Sequence, residues 1–189
     1  DASAAYEAMQ VEIAEQTPEQ MAAAYADFEA GNAGYKMLVG FKEAAALSQS
    51  GKIDEAVTAY ERVAADASVG NVMRQLAVIK AAILVSTKAS DADMNARLRP
   101  LTDAGSPWRN PARELLGLSA YKAGEFEVAA VLFEEIVRDK GAAPGLRDRA
   151  HIMQALLASK VVATPVSESV EVTAGEEETG EAAAPAAPQ

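Results

Sequence analysis

The sequence predicts an all-α protein: a tandem stack of antiparallel helix hairpins, about eight or nine helices in all, with a C-terminal capping helix and a disordered tail. Two observations lead there. Apolar residues recur at three- and four-residue spacing through most of the chain up to Ser159. Two stretches, Leu47–Val63 (LSQSGKIDEAVTAYERV) and Ala120–Ile136 (AYKAGEFEVAAVLFEEI), also superpose at an offset of 73 residues. Gly51 then falls on Gly124, Ile53 on Phe126, Ala56 on Ala129, Tyr60 on Phe133 and Val63 on Ile136, and upstream Ala44 falls on Gly117.

Each match has a role in a helix–turn–helix hairpin. Glycine lets a first helix stop in a left-handed conformation. The apolar residue two positions on starts the return helix, whose small Ala56 or Ala129 allows close approach. The aromatic one turn later fills the space between the helices. Small residue, then alanine, then aromatic is the pattern of tetratricopeptide-type repeats, units of about 34 residues, so the offset spans two units. The expected organisation is N-terminal helices over 1–30, a repeat domain over 31–160 (31–69, 70–105, 106–141 and a capping helix 144–160), and an acidic Ala/Pro/Glu tail over 161–189.

In chain order, Ala5, Tyr6, Met9 and Ile13 mark a first amphipathic helix. Thr17-Pro18-Glu19-Gln20 reads as a capping box with proline at the first helical position, opening a second helix to about Ala30 that carries Met21, Tyr25 and Phe28. The third helix, Ala33–Ser50, carries Tyr35, Leu38, Phe41, Ala45 and Leu47, and Asp54–Ala67 answers it. Val72–Thr87 is the most apolar helix, with Leu76, Ala77, Ile79, Ile83 and Leu84 on more than one face, which marks it as central.

Ser90-Asp91 caps a short helix containing Met94, Leu98 and Leu101, which Pro100 kinks or shortens. Ser106-Pro107 and Asn110-Pro111 are two nested start signals for the next helix, which bears Leu115, Leu116, Leu118 and Tyr121. Phe126–Asp139 returns, and Leu146–Ser159 closes the stack with Ile152, Leu156 and Leu157 expected inward. Beyond Lys160 the chain has no aromatic residue and is expected to be disordered.

Composition narrows the function classes. Half of the residues are apolar, enough for a core, and the net charge is −11. Six glutamates of the tail account for more than half of that charge, and no Lys/Arg cluster offers a footprint for nucleic acid or anionic lipid. Without cysteine there is no disulfide framework, thiolate nucleophile or cysteine zinc site. The single histidine, His151, lacks the partners that metal or acid–base sites need, and no metalloprotease, hydrolase-elbow, P-loop or dinucleotide motif occurs. The expectation is a non-enzyme without cofactor or metal.

What remains is surface shape. In stacked hairpins the first helices line a groove, and here that face projects to Lys36, Phe41, Arg74, Ala81, Glu114, Leu118 and Tyr121, with Tyr121 and Phe41 as anchors for a partner's peptide. The repeat itself rests on Ala44, Gly51, Ala56, Tyr60, Trp108, Gly117, Gly124, Ala129 and Phe133. Two other readings stand beside a peptide groove: a structural scaffold or homo-oligomeric cell-envelope assembly factor, and a periplasmic small-ligand module.

The run Leu98–Gly117 (LRPLTDAGSPWRNPARELLG), then Tyr121-Lys-Ala-Gly124 and Ala143–Ala150 (APGLRDRA), resembles the alphaproteobacterial members of the YfgM-like ancillary SecYEG translocon subunit family. The likeness covers roughly Ala30 to Ser159, and its most specific parts are Ser106-Pro-Trp-Arg109 and Pro144-Gly-Leu-Arg147. It implies a single-pass inner-membrane protein with a periplasmic tetratricopeptide-like domain. The partners it implies are Sec translocon subunits, a membrane-anchored chaperone and newly exported chains. The chain opens at Asp1 without methionine, and the resemblance places a membrane anchor before it.

Overall fold

Capping chemistry sets where the helices begin. The computed structural model describes residues 2–161, which form α1 (Ala2–Ile13), α2 (Pro18–Asp27), α3 (Ala33–Gln49), α4 (Ile53–Ala65), α5 (Asn71–Val85), α6 (Asp91–Leu98), α7 (Arg109–Ala123), α8 (Phe126–Arg138) and α9 (Pro144–Val161). No strand occurs among the described residues. Thr17 and Ser90 open α2 and α6 with capping boxes, each side chain taking the amide of Gln20 or Asp93 while that residue's side chain takes the cap amide in return. Asn32 caps α3 by accepting from the Tyr35 amide. Donors that a helix start leaves orphaned are thereby satisfied.

The two hairpin turns are near copies. Gly51 and Gly124, with φ of 81° and 84°, are the described residues with positive φ. After each glycine the chain leaves the turn in the same conformation, at Lys52 (φ −81°, ψ 65°) and Glu125 (φ −82°, ψ 67°). The Lys52 amide donates to the Leu47 carbonyl and the Glu125 amide to the Ala120 carbonyl, both at 2.9 Å. That is the Schellman closure, which needs a left-handed residue and therefore glycine.

The duplication extends well past the hairpins. The same offset of 73 residues carries Thr17 onto Ser90, Met21 onto Met94, Tyr25 onto Leu98, Val69 onto Ala142 and Ala77 onto Ala150. Both members are buried in every one of these pairs except the exposed caps and the half-buried Met21. The fold is therefore two four-helix units, α2–α5 and α6–α9, with α1 standing before the first unit as α5 stands before the second. The central position of α5 follows from this: Ala77 and Ala81 face the core of the first unit, Ile79 and Ala82 that of the second. Residues 31–160 form a continuous series of antiparallel packings, an arrangement compatible with tetratricopeptide-type stacking. The loosest neighbours in it are α5 and α6.

Several expectations need adjusting. Helix α2 ends at Asp27 rather than near Ala30, because Phe28 turns extended (φ −69°, ψ 117°) and sets its ring edge-on to Tyr6 at 5.9 Å. Neither Ser106-Pro107 nor Asn110-Pro111 caps α7, which starts at Arg109 after Trp108. The Ser106 hydroxyl takes the Trp108 amide, and Asn110 is drawn inward to donate to Asp139. Pro100 does shorten α6, leaving a single 3-10 turn over Arg99–Leu101.

Ile152 and Leu156 of α9 point outward, not inward. The ridge seated on α8 is Leu146, Ala150, Met153 and Leu157, since only one side of that helix has a neighbour. The tail expected to be disordered lies outside the described residues.

The second hairpin is closely packed at Gly117, where an added Cβ would stand 2.9 Å from the Phe133 ring. Gly117→Ala is expected to lower the unfolding free energy by about 1–3 kcal/mol through overpacking. Adding Phe133→Leu should recover part of that loss in a urea titration. A Gly117→Ala protein as stable as the wild type would show that this contact is not limiting.

Candidate functional site

A groove runs between α2 and α4, with α3 as its floor. Its two contiguous parts measure about 750 Å³ and about 550 Å³ and share Ala26, Glu43, Ala59 and Arg62. Small side chains open it: Ala22, Ala23 and Ala26 on α2, Gly40 on α3 and Ala59 on α4. Gly40 is required by closeness as well as by openness, because a Cβ there would come within 2.5 Å of Val63 Cγ2. Apolar surface from Tyr25, Phe28, Met37 and Val69 lines the wider end.

Three ion pairs are spaced along the groove. Lys52 meets Glu19 at one end (2.5 Å), Arg62 meets Glu43 at the middle (2.6 Å) and Lys36 meets Asp66 at the other end (3.7 Å). Glu43 is largely covered while Arg62 stays mostly exposed, so the guanidinium keeps donors turned to solvent. The Asp66 carboxyl is held below its ordinary value, chiefly by hydrogen bonds from the Ser68 hydroxyl and amide. Such a trough, apolar and small at its base with fixed charges on its rim, offers shape and polar anchoring to a chain segment but no convergent reactive set. Among the described residues no group of three or more His, Cys, Asp or Glu is placed to hold a metal.

The second unit narrows the same groove, to a cleft of about 500 Å³ lined by Ala104, Arg109, Arg113, Glu135, Arg138 and Asp139. Arg113 stands where Gly40 does, Leu132 where Ala59 does, Glu135 where Arg62 does and Arg99 where Ala26 does. Arg113 lines that cleft and pairs with Glu135 at 2.9 Å and with Asp139 at 3.4 Å. Asp139, the counterpart of Asp66, takes two hydrogen bonds from Arg109 (2.5 and 2.9 Å) and one each from the Asn110 side chain (2.9 Å) and the Gly141 amide (2.8 Å). The Arg109 guanidinium, first among these, holds the Asp139 carboxyl well below the usual carboxylate range. The first unit keeps the wider trough; the second narrows it around an ion network.

The seven residues projected onto a groove do not meet on one surface. Lys36 lines the α2–α4 groove, and Leu118 lines a separate cleft with Ser86, Met94 and Lys122. Phe41 packs edge-on to Tyr60 at 5.7 Å, and Tyr121 lies against Phe126 at 5.6 Å. Glu114 is engaged by Arg149 of α9 at 2.6 and 2.9 Å, and Arg74 reaches Asn71 at 3.4 Å. Ala81 is fully buried, so it belongs to the core and not to any surface.

The repeat residues Ala44, Ala56, Tyr60, Gly117, Ala129 and Phe133 are all buried. Trp108 is a brace, its indole N–H donating to the Val72 carbonyl at 2.8 Å and fastening α7 to α5. The residues that shape the open groove, Gly40, Ala26, Ala59, Glu43 and Arg62, were not singled out from sequence. Their signal was present as the positions where the two units depart from each other.

Fold and groove define an all-α stack of antiparallel helix hairpins whose α2–α4 trough is wider than its counterpart in the second unit. Comparison with known proteins found no matching family model, no matching curated protein and no matching solved structure.

The Asp139 network carries a pH signature. A carboxyl whose folded value is depressed adds stability above its unfolded value, near 3.8, and loses it as pH falls through the folded value. Asp139→Asn is expected to be less stable than the wild type at neutral pH, with the two stabilities converging on acidification below about pH 4. Parallel curves from thermal melts across that range would contradict this role.

Proposed function

We propose that the domain is a non-catalytic protein-binding module whose α2–α4 groove holds a segment of a partner chain. The observation that carries the reading is the asymmetry of the duplication: Gly40 and Ala59 leave a trough whose two parts measure about 750 and 550 Å³ in one unit, while Arg113 and Leu132 stand at the same positions in the other, where a cleft of about 500 Å³ remains. Packing alone gives no reason to keep a wide groove beside a narrowed copy of it. The ion pairs across Arg62 and Lys36 can be exchanged for contacts with a bound segment, because both cations are mostly exposed.

The residue likeness around Trp108-Arg109 and Pro144-Gly-Leu-Arg147 supports a finer assignment. In this reading the domain sits in the periplasm, is tethered to the inner membrane by a segment before Asp1, and acts beside the Sec translocon or a chaperone on newly exported chains. Tethering would raise the local concentration of the groove near emerging segments, so that modest intrinsic affinity suffices. Among the described residues no helix is long and apolar enough to cross a membrane.

Photo-crosslinking in cells tests both levels. A probe at Ala26, on the groove rim, is expected to capture translocon subunits or exported chains, while a probe at the exposed Glu125 of the second hairpin turn does not. Equal capture at the two positions, or none at either, would remove the groove from the account.

A further inference from the structure

The duplication also shows what the α2–α4 groove lacks. Asp66 and its counterpart Asp139 end the return helix in the same backbone conformation, and each accepts from the amide two residues on, at 2.9 Å from Ser68 and 2.8 Å from Gly141. The second carboxylate oxygen is treated differently in the two units. Asp139 Oδ2 accepts from Arg109 Nε at 2.5 Å, from the Asn110 side-chain amide at 2.9 Å and from Arg113 at 3.4 Å. The residues at those three places in the first unit are Lys36, Met37 and Gly40. Lys36 stays 3.7 Å from Asp66 Oδ2, a methionine side chain has no donor, and glycine has no side chain. Asp66, half-buried on the wall of the groove, thus keeps an acceptor whose donors the second unit supplies from its own chain.

What is missing has a shape as well as a charge. Gly40 stands in place of Arg113 and Ala59 in place of Leu132, and both line the wider part of the groove, so room is left at the positions where the second unit carries a guanidinium and a leucine side chain. The lining charges agree. Glu29, Glu43 and Asp66 in the wider part and Glu19, Asp54 and Glu55 in the narrower one outnumber Lys36, Lys52 and Arg62, whereas arginines outnumber acids in the cleft of the second unit. Arg62 pairs with Glu43 at 2.6 Å rather than with Asp66. An anionic segment would add to the excess of carboxylates, and a cationic one relieves it.

Building on the groove as a site for a chain segment, we infer that it selects segments carrying a basic residue, arginine above lysine, next to an apolar one. The cation reaches Asp66 across Gly40 as Arg113 reaches Asp139, and the apolar side chain lies over Ala59 in the place of Leu132. Arginine is favoured because its planar fork takes the free side of the Asp66 carboxylate and still has donors for Glu43 or for solvent, which the point charge of lysine does with less geometric fit.

Panning a phage-displayed random peptide library on the full chain tests this, with selected peptides then titrated by fluorescence anisotropy at low salt. Binders are expected to be enriched in arginine beside leucine or another apolar residue, and to lose their affinity for Ala26→Trp. Replacing that arginine by glutamine in a selected peptide should weaken binding to the wild type about tenfold and hardly change binding to Asp66→Asn of unchanged helicity, the coupling expected of a direct contact. Binders that Ala26→Trp rejects but that show no basic enrichment, or a loss on arginine replacement equal in the wild type and Asp66→Asn, would overturn the inference and leave the groove standing. Binders that persist in Ala26→Trp, or no binders at all, would remove the groove and the inference together.

Discussion

The close approach of paired helices at a small residue and an aromatic ring is what the rest of this structure depends on. Gly117 against the Phe133 ring, and their counterparts Ala44 and Tyr60 buried in one core, set how near the first helix of each clear hairpin lies to its return helix. Ala56 and Ala129, both fully buried, keep that distance short along the crossing. Once the spacing is fixed, a left-handed glycine turn is the short closure that fits, and the next helix has a ridged surface to settle on. Burial of the aromatic in each hairpin supplies much of the local hydrophobic gain, and deleting such a side chain from a close-packed site costs several kcal/mol in comparable proteins.

Duplication then gives the protein two versions of one surface. The backbone at the hairpin turns, the capping boxes and the acid after the return helix are kept in both units. Asp66 and Asp139 even share their conformation, with φ of −74° and −76° and ψ of 107° and 110°. Against that constancy the side chains lining the inter-helix trough diverge in size and charge. Arg109 with Asp139 makes a close bidentate pair where Lys36 with Asp66 makes a longer one, consistent with the planar fork of arginine and the point charge of lysine. The second unit carries the denser ion network and the first the wider cleft.

Much of this was legible in the sequence because it is local. Gly51 and Gly124 announce turns, Thr17-Pro18 announces a helix start, and Pro100 announces a shortened one, each through backbone chemistry that needs no neighbour. The placement of the groove was not legible, because it depends on how far each helix rotates about its axis. Phe41 and Ala81 sit on the same helices as surface residues, and only the packed partners, Tyr60 for one and the first core for the other, turn them inward. Likewise Ile152, Leu156 and Leu157 are alike in hydropathy, and α8 alone decides that Leu157 is the buried one. The divergence of Gly40 from Arg113 could be read from the aligned units, but its meaning required knowing that both face a trough.

The most direct measurement of the central claim is calorimetric titration of an unfolded exported chain into the wild-type domain and into Ala26→Trp. Ala26 is exposed on the rim, so the indole occupies the groove without entering the core. The account predicts that the wild type binds and that Ala26→Trp, with unchanged helicity, does not. Equal affinity of the two proteins would contradict it.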